Sequence, residues 1–171
     1  PILLVPPLMV ASEVYDISPE LSSAQRLIDA GLDVWLTDFG APEREEGGME
    51  RTLDDHVSGV SVCIDEIVRV TGKPVHLAGY SQGGMFCYQV AAFRESRDIA
   101  SLVTFGSPVD IRQNLPVSSR AAERVIDFAR SAAARPLDAV EGLPGFLTAT
   151  GFKLLSVRKE VQQIAEFVAS L

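Results

Sequence analysis

Apolar residues along this chain fall into two alternating spacings. Short continuous runs at Ile2–Val5, 33–39, 75–78 and Ile99–Phe105 have the length and β-branched content of buried strands. Between them, apolar residues recur every three or four positions, the period of a helix face. Leu21, Ala24, Leu27 and Ile28 form one stripe, and Val57, Val60, Ile64, Ile67 and Val68 form a longer one. A third helix is expected from the turn 79–84 to about Phe93. The breaks carry turn chemistry. Pro6 and Pro7 close the first strand, Gly40 and Pro42 the second, and Gly106-Ser107-Pro108 the fourth. Ser18-Pro19-Glu20 predicts a helix start, with a hydroxyl cap, proline at the first helical position and an acid in the first turn; Gly31 ends that helix. Thr52 with Asp55 resembles a capping box and opens the long helix, which Gly72 and Pro74 stop. The charged stretch 43–51 reads as solvated surface. Strand and helix repeated in this way imply right-handed crossovers and a parallel sheet between two layers of helix, a three-layer α/β sandwich.

The pattern changes after Pro116. Ala122, Val125, Ala129 and Ala132 make one helical stripe. An apolar stretch from Leu143 to Leu155 is broken by glycine and proline, and Val157, Val161, Ile164, Val168 and Leu171 make a last amphipathic helix. Residues 1–115 are therefore read as a core segment and 116–171 as a helical cap of the same domain. The chain opens at Pro1 inside a strand-like run and ends in a helix, which reads as a segment of a longer polypeptide. Its longest apolar run, 1–11, is too short to span a bilayer, is interrupted by prolines and has no charged region before it.

Composition narrows the partners. The chain has 171 residues, 47% of them hydrophobic, enough for a packed core. It carries 15 basic against 23 acidic residues, a net charge of −8, with no basic cluster. That argues against nucleic acid and against electrostatic docking on anionic lipid. Cys63 and Cys87 have neither metal-site nor disulfide-framework spacing and fall in apolar helical stretches, as buried free thiols do. A reducing, cytoplasmic setting with no metal and no cofactor is expected.

Chemistry concentrates at Gly79-Tyr80-Ser81-Gln82-Gly83, a Gly-x-Ser-x-Gly sequence placed after a buried strand and opening a helix. It resembles the nucleophile elbow of α/β-hydrolases. The glycines are required by crowding, because side chains there would collide with the neighbouring strand and helix. The turn lifts the Ser81 hydroxyl above the sheet edge and aims a helix N-terminus at it, favouring a negative oxygen. One oxyanion donor is expected to be the backbone N–H of Gln82. The second is expected after the first strand, where Pro6 and Pro7 have no N–H and Leu8 is the first available donor.

Serine needs a base, and this fold orders the set as Ser, acid, His along the chain. No histidine follows Ser81. His76 precedes it by five residues on the same strand, roughly 16 Å away at ~3.3 Å per residue, and reads as a buried strand histidine. His56 begins the long helix and reads as structural or exposed. Asp110, just past the fourth strand, is a candidate acid, whereas Asp38 reads as a structural acceptor. Cys87 reads as packing. The absent histidine leaves two readings open: an enzyme cut off before its final strands, with the histidine supplied from outside this segment, or a degenerate hydrolase scaffold serving as a non-catalytic binding module. A fused domain or oligomer partner is compatible with either.

Val5-Pro6-Pro7, Leu36-Thr37-Asp38-Phe39 and the run from Gly72 to Gly84 together resemble the poly(3-hydroxyalkanoate) synthase branch of the α/β-hydrolases, over roughly residues 1–110 and only loosely beyond. The resemblance implies a three-part catalytic set, acyl-CoA thioester chemistry and a cap over the site. It also implies a cysteine nucleophile where this chain has Ser81, which suits ester formation and hydrolysis better than repeated thioester exchange. The expected substrate is a fatty or hydroxyacyl ester or thioester. Leu143, Phe146, Leu147, Phe152 and Leu154 can either line an acyl channel or pack cap against core.

Overall fold

A computed structural model describes residues 1–8 and 12–110, with six further positions between 120 and 128. The chain divides into two compact units, Pro1–Pro116 and Val117–Leu171. In the second unit, residues 120, 121, 123, 124, 127 and 128 are helical. The stripe of Ala122, Val125, Ala129 and Ala132, the apolar residues from Leu143 to Leu154 and the expected final helix lie outside the described residues.

The first unit is built from four strands, β1 (Ile2–Val5), β2 (Val34–Leu36), β3 (Val75–Tyr80) and β4 (Ile99–Phe105), and three helices, α1 (Ser23–Asp29), α2 (Leu53–Thr71) and α3 (Gln82–Phe93). All pairings are parallel and the sheet order is β2-β1-β3-β4. Register aligns Ile2 with His76 and Val5 with Gly79, so β1 and β3 end side by side.

Side-chain alternation along the strands assigns the helices to faces. Leu3 and Val5 of β1 and Val75 and Leu77 of β3 pack with Val60, Ile64 and Ile67 of α2 and with Phe86, Cys87 and Val90 of α3. Leu4 and Ala78, one residue out of phase, pack with Ala24 and Leu27 of α1 and with Tyr15. The main core therefore lies on the α2–α3 face, where each fully buried Leu, Ile, Val or Phe contributes about 1.5–3 kcal/mol. The chain first steps from β1 outward to β2, then returns across β1 to β3. The direction of winding reverses between β1 and β3, and in open α/β sheets ligands bind beyond the carboxyl ends of the strands at such a point.

Several boundaries differ from the sequence pattern. Ser18 caps only a 3₁₀ turn, Pro19–Leu21, and α1 starts one turn later, where the Ser22 hydroxyl accepts the Gln25 N–H at 2.8 Å. β2 is three residues rather than seven, because Asp38 takes the Gly40 N–H at 2.9 Å and turns the chain away. β3 continues two residues beyond Ala78, carrying the extended backbone up to Ser81. The charged stretch is not a plain loop: Pro42–Arg44 and Gly48–Glu50 form 3₁₀ turns, with Arg51 paired to Glu45 and Gly48 buried. His76 is exposed rather than buried, its Nδ1 2.8 Å from the Ser101 hydroxyl on β4. Among the described residues no helix is long and apolar enough to cross a membrane.

Candidate active site

Ser81 joins β3 to α3 with φ 52 and ψ −120, a combination that L-residues rarely adopt and that costs about 1–3 kcal/mol. Neighbouring backbone holds it there. The Ser81 N–H donates to the Phe105 carbonyl at 2.7 Å, and the Ser81 carbonyl accepts the Gly84 N–H at 3.1 Å. The residue is half-buried, and its side chain does not cap the helix it precedes.

The flanking glycines are sites of close approach. A Cβ on Gly79 would lie 2.5 Å from the backbone of Gly84, and one on Gly83 would run into the Val5 carbonyl oxygen. A Cβ on Gly84 would meet the Ser107 hydroxyl. That hydroxyl is buried and has no hydrogen-bond partner among the described residues. The first turn of α3 thus rests directly on the end of β1 and on the segment after β4.

This contact brings the two expected oxyanion loops together. Gln82 is the first residue of α3, so its N–H has no intrahelical acceptor. Leu8 lies beyond Pro6 and Pro7, and its N–H donates to Oε1 of Gln82 at 3.2 Å. The end of β1 has a second tie: the buried Tyr15 hydroxyl donates to the Val5 carbonyl at 3.0 Å, and burial raises the Tyr15 pKa to about 12. Neither the Gln82 side chain nor Tyr15 carries a local sequence signal for these bonds, which join segments 74 and 10 residues apart.

The other titratable candidates differ in their surroundings. Asp110 is half-buried, five residues past the end of β4. Cys87 is fully buried, and burial pushes its thiol up to about 12, which disfavours the thiolate that a nucleophile needs. Burial also raises the half-buried Cys63 thiol. His56 is half-buried, its ring stacked on Phe86 at 5.7 Å and edge-on to Phe39 at 5.2 Å. Its Nδ1 is 2.6 Å from the Thr52 carbonyl, which can only accept, so Nδ1 carries the hydrogen. The His56 ring lines a cleft of about 590 Å³ between residues 38–40 and Arg51, a cleft that does not include Ser81.

A serine on a strained strand-to-helix turn, at the point where a parallel sheet reverses its winding, defines the α/β-hydrolase fold, and this chain has that fold. An extracellular α/β-hydrolase from a Paenibacillus species superposes with a TM-score of 0.50 at 20% identity, over 78% of this chain and 52% of that one. In sequence the chain is similar to poly(3-hydroxyalkanoate) polymerase subunits PhaC. It is 32% identical over 114 residues to the Allochromatium vinosum protein, and 34% identical over 115 residues to that of Synechocystis sp.. Each match takes in 66% of this chain, which spans about a third of the length of these relatives. No family model matches the chain.

Proposed function

We propose that this chain is the nucleophile-bearing core of a serine acyl-transfer enzyme acting on fatty or hydroxyacyl esters or thioesters, acyl-CoA among them. The observation that carries the reading is the forced backbone of Ser81 at the mouth of α3, beside the Gln82 N–H and the Leu8 loop. Strain of this kind persists only where surrounding structure over-determines it, and it is concentrated at reacting residues. In the proposed step the Ser81 oxygen bonds to the acyl carbon while a base of imidazole type takes the hydroxyl proton. The carbonyl oxygen becomes negative against the N–H groups of Gln82 and Leu8. When the tetrahedral intermediate collapses, the bond to the alcohol or thiol breaks and that leaving group receives the proton. Water, or an acceptor alcohol or thiol, then releases the acyl group by the same path in reverse. Asp110 is proposed to orient the base. His76 stands on the wrong end of β3 to be that base, and His56 lines a cleft that does not include Ser81. An acyl-CoA substrate and two unpaired thiols both suit a cytoplasmic setting.

The relatives' name supports acyl chemistry. Serine where the resemblance implies cysteine favours ester formation or hydrolysis over chain growth. A fluorophosphonate probe applied to the intact protein is expected to label Ser81, and Ser81→Ala is expected to abolish labelling. A folded protein that takes up no probe sinks the reading. The outcome would then favour a non-catalytic binding module.

A further inference from the structure

We propose that the Gln82 carboxamide is a latch on the oxyanion site: its Oε1 holds the Leu8 N–H in the free protein, and an acyl substrate must displace it. This rests on the acyl-transfer reading above. Leu8 is the first N–H after β1, and it is already engaged, at 3.2 Å, by the side chain of the residue that follows the nucleophile. A carboxamide oxygen and a substrate carbonyl are acceptors of the same kind, so they compete for that donor.

The end of β1 just before Leu8 is held in place. Gly83 lies against the carbonyls of Val5 and Pro6, and Tyr15 holds the Val5 carbonyl from another side. Pro6 is fully buried, while Leu8 is exposed and the Gln82 side chain is half-buried. The flexible partner is therefore Gln82, through its side-chain torsions. Swapping one neutral acceptor for another gains little. A developing oxyanion forms charge-assisted bonds roughly twice as strong and wins the donor. The latch thus penalises ground-state binding and yields to the transition state.

The test compares Gln82→Met, which removes the acceptor at similar length, with Gln82→Glu, which keeps it and adds charge. The readout is affinity of the intact protein for an alkyl boronic acid, whose Ser81 adduct presents a tetrahedral oxygen to the same donors. Freeing one neutral hydrogen bond corresponds to about 3- to 10-fold in affinity. Gln82→Met is expected to bind that much tighter than wild type, and Gln82→Glu weaker. Equal or weaker binding by Gln82→Met means the carboxamide supports the site instead of blocking it, and overturns the latch. If Gln82→Met does not fold, the Gln82 side-chain amide resonances in wild type decide. They are expected to move on adduct formation, and unchanged resonances overturn the latch. A wild type that binds no boronate and takes up no fluorophosphonate removes the acyl-transfer reading itself, and the latch with it. Labelling at Ser81 without the Met effect removes the latch alone.

Discussion

At the scale of single residues, the elbow is a problem of space before it is one of catalysis. Gly83 and Gly84 are neighbours in sequence but meet different obstacles: the Val5 and Pro6 carbonyls in one case, the Ser107 side chain in the other. A backbone wedged between β1 and α3 cannot retreat without moving a strand of the main core. A serine hydroxyl can rotate. Gly83→Ala is therefore expected to cost about 3 kcal/mol or more, near the upper end of overpacking penalties. Gly84→Ala is expected to cost less than that, because rotation of the Ser107 hydroxyl relieves the closest contact and leaves the Cβ atoms of Ser107 and Thr104 at 2.8 and 3.0 Å. Urea midpoints of the two variants check the order, and a Gly84→Ala variant less stable than Gly83→Ala contradicts it. The residues of this site were legible in unequal degree. Ser81, with Gln82 as its following amide, could be read because crowding imposes glycine at fixed offsets. The Gln82 side chain could not, since its partner lies 74 residues away and no local rule joins them.

At the scale of elements, local chemistry located some ends and misplaced others. The start of α2 was legible because both halves of its cap are neighbours in sequence. The Thr52 N–H donates to Asp55 at 2.7 Å, and the Asp55 N–H donates to the Thr52 hydroxyl at 3.3 Å. The start of α1 was misread because Ser18 and Ser22 both cap, and only tertiary contacts choose between the turns they open. An isolated bridge pairs Asp16 with Ser22, while Ala24 and Leu27 seat α1 on the sheet. Thr52→Ala is expected to destabilise by about 1 kcal/mol at neutral pH. The Asp55 carboxyl is held below its usual range, first by the Thr52 N–H and then by the Thr52 hydroxyl. With a folded value below the unfolded one, its contribution is present above the unfolded pKa and is lost as pH falls through the folded one. The gap between Thr52→Ala and wild type is therefore expected to narrow as the medium is acidified through the carboxylate range. Urea midpoints at neutral and acid pH measure it. A gap that stays constant would assign the cap to the hydroxyl alone.

At the scale of the whole first unit, strand order was the part that the hydrophobic pattern could not supply. Periodicity shows that four strands exist and that they run parallel, but each crossover can add its strand on either side. The observed reversal between β1 and β3 is what sets Leu8 and Ser81 over adjacent strand ends. Arg94 secures the opposite end of the same layer. Its guanidinium is almost fully buried and donates to the Ser61 carbonyl and hydroxyl on α2, to Asp65, to the Arg97 carbonyl and to Asp98. It thereby spans α2, the end of α3 and the turn into β4. In that turn Glu95, Ser96 and Asp98 all have positive φ, so the clamp also holds strained backbone. Asp65 is largely exposed, and its ion pair is worth little by itself. The larger loss on removing the guanidinium is the buried Ser61 hydroxyl left without its donor, together with release of the turn. Arg94→Met is expected to cost about 2–3 kcal/mol, and Arg94→Lys to recover little, because one ammonium cannot reach five acceptors set in a planar fork. The twelve residues of α3 separate Arg94 from Ser81, roughly 20 Å at 1.5 Å per residue. Both variants are accordingly expected to lower the urea midpoint while leaving the native-state rate of fluorophosphonate labelling at Ser81 within twofold of wild type. A labelling rate that falls with the midpoint would mean that the strained turn at Ser81 is held by the packing of the entire α2–α3 layer, and not by its own glycines and the end of β1.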